Sequence, residues 1–134
     1  MILTSTEFKK IRSDFKKENK SLVFTNGCFD ILHKGHAAYL NQAKSLGDKL
    51  IVGVNFDRSV KVLKGDNRPV NNENDRYFLL DNLKSVDYVI IFDEDTPYNL
   101  IKDIEPEYLV KGGDWKKEDI VGWDIVEAAG WKVM

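Results

Sequence analysis

Four short apolar runs, each separated from the next by segments with helical spacing, limit how this chain can fold more than any other feature. The runs are "SLVFTNG", "KLIVGVN", "DYVIIF" and "EYLVKGGDW", and "WKVM" begins a fifth. Consecutive residues in each run are apolar, so neither face of such a strand can be left to water. The intervening segments space their apolar residues three and four apart. In "GHAAYLNQAKSLGD" these are Ala37, Tyr39, Leu40, Ala43 and Leu46, with Gly47 as the stop signal. In "NENDRYFLLDNLKSV" they are Leu79, Leu80, Leu83 and Val86. "DRSVKVLKGD" predicts a short helix running into a basic loop, and "IVGWDIVEAAGW" a last helix. "DTPYNLIKDI" predicts a helix with Thr96 as N-cap and Pro97 as first helical residue. Ahead of the first strand, Phe8, Ile11 and Phe15 predict a short amphipathic helix over about residues 6–18. Strands that alternate with helices and are buried on both faces predict an α/β protein, with a parallel sheet of about five strands covered by helices.

A length of 134 residues suits one domain spanning 1–134, with no repeat, low-complexity tract or interdomain linker. The net charge is −2, so no basic surplus points to nucleic acid or an anionic membrane. No apolar run approaches transmembrane length, and the N-terminal residues lack the apolar centre and cleavage site of a signal peptide. One cysteine cannot staple a fold, which makes a reducing cytoplasm the expected location.

In open parallel sheets, ligands bind beyond the carboxyl ends of the strands, where strand order reverses. Two loops at strand ends carry unusual chemistry: residues 26–35 and residues 111–115. The first lies in "TNGCFDILHKGH", which holds both histidines, His33 and His36, and the only cysteine, Cys28. Asn26-Gly27 could form a hairpin turn, but no alternating strand returns after it. Cys28, His33 and His36 could ligate zinc, yet they supply three ligands at a spacing that fits neither a finger nor a helical HExxH site. Cys28 could be a nucleophile activated by a histidine, although an inert, partly buried thiol is the commoner case. The preferred reading is an anion cradle. Gly35 and His36 open a helix whose first N–H groups and dipole favour anions, and the two imidazoles are placed to donate to the same anion. Gly27 and Gly35 would let a large ligand approach the main chain closely.

The "HKGH" pattern behind "TNGCFD" resembles the HxGH signature of the cytidylyltransferase-like nucleotidyltransferases. The stretch "VFTNGCFDILHKGHAAYLNQAKSLGDKLIVGVNFDRSVKVLKGDNRPV" and the later "DYVIIFDEDTPYNLIKDIEPEYLVKGGDW" are similar to the adenylyltransferase domain of bacterial heptose 1-phosphate kinase/adenylyltransferases. The resemblance runs from about Lys20 to Trp115 and weakly to the end. It rests on "LKG..RPV", "R...L..L..VD" and "VKGGDW" occurring in order at family spacing. It implies a Rossmann-like, doubly wound parallel sheet, and an enzyme in which a heptose 1-phosphate attacks the α-phosphate of ATP, accompanied by Mg2+. ADP-heptose, a lipopolysaccharide core precursor, and pyrophosphate would leave. Such in-line transfer works by positioning and charge neutralisation, without a protein nucleophile.

The resemblance also implies residue roles. His33 and His36 would bind the triphosphate and stabilise the pentacoordinate phosphorus, with Lys64 and Arg76 completing the catalytic set. Asn26, Gly27, Cys28, Phe29, Asp30 and Gly35 would face the nucleotide, as would Gly112, Gly113, Asp114 and Trp115. Asp30 matches the family's acidic position, and orienting His33 or capping the loop accounts for it equally well. Asn55, Asp57, Lys61 and Arg68 would hold the sugar phosphate, with Lys61 and Lys64 together holding phosphates of both substrates. A solvated charged face is the alternative for the lysines, an N-cap for Asp57, and a turn before Pro69 for Arg68. No metal ligand set is implied. Arg76 stands out on spacing alone. It precedes Leu79, Leu80 and Leu83 by three, four and seven residues, on the apolar stripe. A charge there is expected at the edge of the core, pointing into an anionic pocket.

Members of the family continue past the last strand with a segment like "GYSTTxII", whose hydroxyls and helix N-terminus contact phosphates. This chain ends at Met134. The expectation is weak ATP binding, slow turnover, and a separate sugar kinase supplying the substrate. A homodimer is compatible with the resemblance. Glycerol-3-phosphate cytidylyltransferases and FAD synthetases share "GxFD..H.GH" and supply an alternative acceptor. A nucleotide-binding module without turnover is the non-enzymatic alternative.

Overall fold

The computed structural model describes residues 1–94, 96–111 and 116–134, apart from the side chains of Ser59 and Leu63. Its strands are β1 (Ile2–Leu3), β2 (Leu22–Gly27), β3 (Lys49–Asn55), β4 (Tyr88–Phe92), β5 (Tyr108–Leu109) and β6 (Lys132–Val133). They form one six-stranded sheet in the order β1-β4-β3-β2-β5-β6, and every neighbouring pair is parallel.

The strict two-residue period of a strand sorts its side chains into two cores. Leu22, Phe24, Ile51, Ile90 and Leu109 face one way, against α1 (Ser5–Lys17), α5 (Tyr98–Ile104) and α6 (Trp123–Ala128). Val23, Leu50, Val52, Val54 and Val89 face the other, against α2 (Lys34–Lys44) and α4 (Glu73–Asp81). The short helix α3 (Asp57–Lys64) follows β3. This is the doubly wound α/β architecture that the continuous apolar runs predict.

Four local details differ from the expectations. The edge strand β1 is a sixth strand, pairing Ile2 with Val89 and Leu3 with Ile90. Two residues are too few to show a period. Helix α1 starts from a capping box, in which Thr4 and Glu7 satisfy each other's backbone N–H groups. Pro97, not Thr96, is the N-cap of α5, and no side chain caps that helix. On α4 the buried face is Arg76, Tyr77 and Leu80, while Leu79 is 43% exposed. The helix stops at Asp81, so Leu83 and Val86 pack from the turn that follows it.

Strand order explains where a ligand can sit. The chain moves outward from β2 to β3 to β4, then crosses back to β5 on the other side of β2. The reversal opens a crevice at the carboxyl ends of β2 and β5.

Candidate functional site

A cavity of about 920 Å3 occupies that crevice. Asn26 and Gly27 line it from the end of β2, and Cys28, Phe29, Asp30 and Ile31 from the loop beyond. His33, Gly35, His36 and Tyr39 come from the start of α2, Val60 and Lys64 from α3, Arg68 from the next loop, and Lys111 from just past β5. Tyr39 is tied back to β2 by a 2.6 Å hydrogen bond between its hydroxyl and that of Thr25.

The histidines are held by reciprocal capping. His33 is the N-cap of α2, and its Nδ1 accepts the N–H of Gly35 at 3.0 Å. The Nδ1 of His36 in turn accepts the N–H of His33 at 3.2 Å. A neutral imidazole that accepts through Nδ1 carries its proton on Nε2. Both rings therefore have a donor on the nitrogen that the helix does not use. Their centroids lie 4.0 Å apart at a 36° tilt, and the Phe29 ring meets His36 edge-on at 5.7 Å. Burial, then the neighbouring His33, pushes the His36 pKa below its ordinary value, favouring this neutral form.

The capping corrects the expected backbone cradle. The Gly35 N–H is engaged by His33 Nδ1, and the His36 N–H bonds the His33 carbonyl at 3.0 Å. The helix end thus presents imidazole N–H groups where free backbone donors were expected. The two glycines line the cavity and also have a packing role within the loop. A Cβ on Gly35 would lie 2.7 Å from His33 Cε1, and one on Gly27 would lie 2.9 Å from Phe29 Cε2. They make room for the chain's own rings, which close down over the loop. Phe29 itself has φ of +48° and is buried, so the loop holds an unfavourable backbone conformation under a packed ring.

Asp30 caps a loop and does not orient His33. Its carboxylate accepts the N–H groups of Val70 and Asn71, each at 2.8 Å, and pairs with Arg68 at 3.1 Å. Burial alone would raise its pKa, but those two N–H groups and Arg68 outweigh it and hold the carboxyl below its ordinary value. The clamp fixes the loop after α3 against the loop after β2. Cys28 is half-buried, and burial pushes its thiol pKa up, opposite to what an activated nucleophile requires.

Arg76 is where the structure departs most from expectation. Its side chain is 0% exposed and is not among the cavity-lining residues. One guanidinium nitrogen donates to the Cys28 carbonyl at 2.7 Å and another to Asp57 at 2.8 Å. It lies beneath the cavity and braces the loop that forms its floor. Asp57 is correspondingly the partner of Arg76, and Phe56 is the N-cap of α3. Asn55 is buried, and Lys61 is exposed; neither lines the cavity. Gly112, Gly113, Asp114 and Trp115 lie outside the described residues.

Sequence reasoning placed Lys111, just past β5, in the second candidate loop but gave it no role. Its only signal was its position before "GGDW". Burial, with a contribution from Lys64, holds its pKa below the usual lysine range, although Cys28 acts in the opposite direction. Among the described residues, no group of three or more His, Cys, Asp or Glu side chains converges as a metal site. No helix among them is long and apolar enough to cross a membrane.

A crevice at a strand-order reversal, lined by two imidazole donors and several cations, is the arrangement of an α/β nucleotide-handling protein. A family model described as cytidylyltransferase-like matches residues 24–131, and the chain belongs to that family. It is 60% identical over 121 residues to the bifunctional protein HldE of a Nitratiruptor species, and 56% identical over 126 residues to that of Aliarcobacter butzleri. These alignments cover 90% and 94% of the chain, which spans about a quarter (26%) of the length of either relative. Among solved structures it is similar to the lipopolysaccharide core biosynthesis protein of Thermoplasma volcanium. The TM-score is 0.68 at 28% identity, covering 85% of this chain and 92% of that one.

Proposed function

We propose that this chain, acting as one nucleotidyltransferase domain over residues 1–134, transfers AMP from ATP to a heptose 1-phosphate. The observation that carries the reading is the pair of neutral imidazoles whose Nε2–H donors remain available beside Lys64 in one cavity. An oxygen of the sugar phosphate attacks the α-phosphorus of ATP. A new P–O bond forms, the bond from that phosphorus to the bridging oxygen breaks, and pyrophosphate leaves with its electron pair. His33 and His36 donate to non-bridging oxygens that gain charge in the transition state, and Lys64 neutralises the phosphate chain. Arg76 acts from below, keeping the Cys28 carbonyl and the cavity floor in place.

Magnesium fits this reading as part of the nucleotide substrate. The one carboxylate among the described lining residues, Asp30, is already engaged by Arg68, Val70 and Asn71. Among the described residues, the cavity lining therefore offers no free carboxylate for a cation. A sugar kinase would supply the acceptor, and the cytoplasm is the compartment that holds both substrates.

The test is a matrix of nucleoside triphosphates against sugar and polyol phosphates, read by pyrophosphate release. The highest rate is expected for ATP with a heptose 1-phosphate. A preference for CTP with glycerol 3-phosphate would replace the acceptor assignment. Nucleotide binding with no pyrophosphate from any pair would make the chain a binding module.

A further inference from the structure

The loop after α3 brings Arg68 to the cavity, and its attachment is concentrated on one residue of the loop after β2. The Asp30 carboxylate accepts the N–H groups of Val70 and Asn71, each at 2.8 Å, and one guanidinium nitrogen of Arg68 at 3.1 Å. In the reverse direction, the side-chain amide of Asn71 donates to the Asp30 carbonyl at 2.6 Å. These bonds are not equivalent. The Asp30 side chain is 12% exposed and Asn71 is half-buried, whereas the Arg68 side chain is 46% exposed. The bonds made by Val70 and Asn71 hold the loop whether or not Arg68 stays on Asp30. An ion pair with so exposed a partner adds little to folding. Arg68 can therefore turn from Asp30 to an anion in the cavity while its loop stays in place. Only one of its nitrogens is used by Asp30, and the planar fork of the others suits a phosphate.

We propose that Asn71 is a positioning residue of this site, which fastens its loop to Asp30 and so presents Arg68 to a phosphate group in the cavity. That the phosphate belongs to a substrate rests on the transfer reading above, whereas the dependence of Arg68 on Asn71 rests on the hydrogen bonds to Asp30. An asparagine that only stabilised its loop would change the urea midpoint without acting through Arg68.

The experiment measures binding of inorganic tripolyphosphate by calorimetry to the 134-residue chain, to Arg68→Gln, to Asn71→Ala and to the double variant. Urea denaturation reports the stability of each protein. Arg68→Gln should lose affinity by about 10-fold, the usual effect of losing one charge-assisted hydrogen bond. Asn71→Ala should lose about 3- to 5-fold in the wild-type background but less than about twofold in the Arg68→Gln background, because its effect passes through Arg68. Asn71→Asp keeps the shape and removes the donor, and it should bind no better than Asn71→Ala. Equal affinity of wild type and either Arg68→Gln or Asn71→Ala overturns the proposal. So do an undiminished loss from Asn71→Ala when Arg68 is already absent, full affinity in Asn71→Asp, unfolding that accounts for the loss in both Asn71 variants, or a wild-type chain that does not bind tripolyphosphate. The coupled losses in a chain that releases no pyrophosphate with any acceptor would keep Asn71 in its role and sink the transfer reading. Transfer activity unaffected in Arg68→Gln and Asn71→Ala would do the reverse.

Discussion

The two ends of the sheet each carry a large cavity lined by basic residues, and they use those residues differently. At the amino end, a cavity of about 790 Å3 is lined by Arg12, Lys16, Lys102, Glu105, Glu107 and Trp131 among others. Arg12 donates to the Ile104 carbonyl at 2.9 Å, the Glu105 carbonyl at 2.6 Å and the Glu107 carboxylate at 2.5 Å. Lys16 pairs with Glu105 at 2.8 Å. Nε and Nη2 of Arg12 thereby join α1 to the turn after α5, while its buried Nη1 has no hydrogen-bond partner among the described residues. At the carboxyl end, the imidazoles that line the cavity receive backbone N–H groups on Nδ1, leaving Nε2 as the nitrogen the helix does not use. Volume does not separate a binding site from a packing gap. What separates them is whether the polar groups on the wall are already committed to the protein itself.

Arg76 tests this contrast most severely, because it sits at the carboxyl end yet is bonded within the protein like Arg12. Arg76→Met should lower stability by about 3–5 kcal/mol in urea denaturation, since it strips partners from the Cys28 carbonyl and Asp57. A stable variant with collapsed turnover would instead mean that the guanidinium reaches substrate.

His33→Ala and His36→Ala should each cut turnover by roughly 10²–10³, the range for losing one transition-state donor. Stability should fall by only about 1 kcal/mol, for the lost cap. Rates near wild type in both variants would remove the imidazoles from the chemistry. Arg12→Met belongs to the other end. It should cost about 2–3 kcal/mol of stability while leaving the turnover of folded molecules unchanged.

Acidification should have a smaller effect with a defined sign. The folded-state pKa of His36 lies below its ordinary value of 6.5, first through burial and then through His33. A depressed histidine favours the neutral form in the folded state, so stability is full above 6.5 and declines as pH falls through the folded value. Protonation would also remove the Nδ1 acceptor from the His33 N–H. Urea midpoints between pH 8 and pH 5 should show this decline, and His36→Gln, whose amide oxygen can still accept, should flatten it. Smallest of all should be Cys28→Ser, with a change of about 1 kcal/mol or less and turnover nearly unchanged. A fully inactive but folded serine variant would reopen the nucleophile reading.

Much of the arrangement was legible from local pattern. Unbroken apolar runs such as "KLIVGVN" required a strand covered on both faces, and β3 is buried along six of its seven residues. The clustering of His33 and His36 behind a strand end marked the loop that lines the cavity. Periodicity assigns a residue to a face without saying what meets that face. Arg76 was rightly on the apolar stripe of α4, but its partners are Cys28 and Asp57, 48 and 19 residues away. Asp30 likewise meets Asn71 across 41 residues.

The sequence by itself determined the alternation of strand and helix, the two-faced burial of the sheet, and the presence of two imidazoles at a helix start. Those properties depend on neighbours within a few positions, where spacing and side-chain type suffice. Tertiary structure alone decided which donors remain for a ligand. Gly27 and Gly35 make room for the rings of Phe29 and His33, Nδ1 of each imidazole is taken by a backbone N–H, and Arg76 is engaged by Cys28 and Asp57. Each of these depends on a hydrogen bond or close contact formed only when the chain folds, and a buried polar group takes whichever partner then lies within about 3 Å.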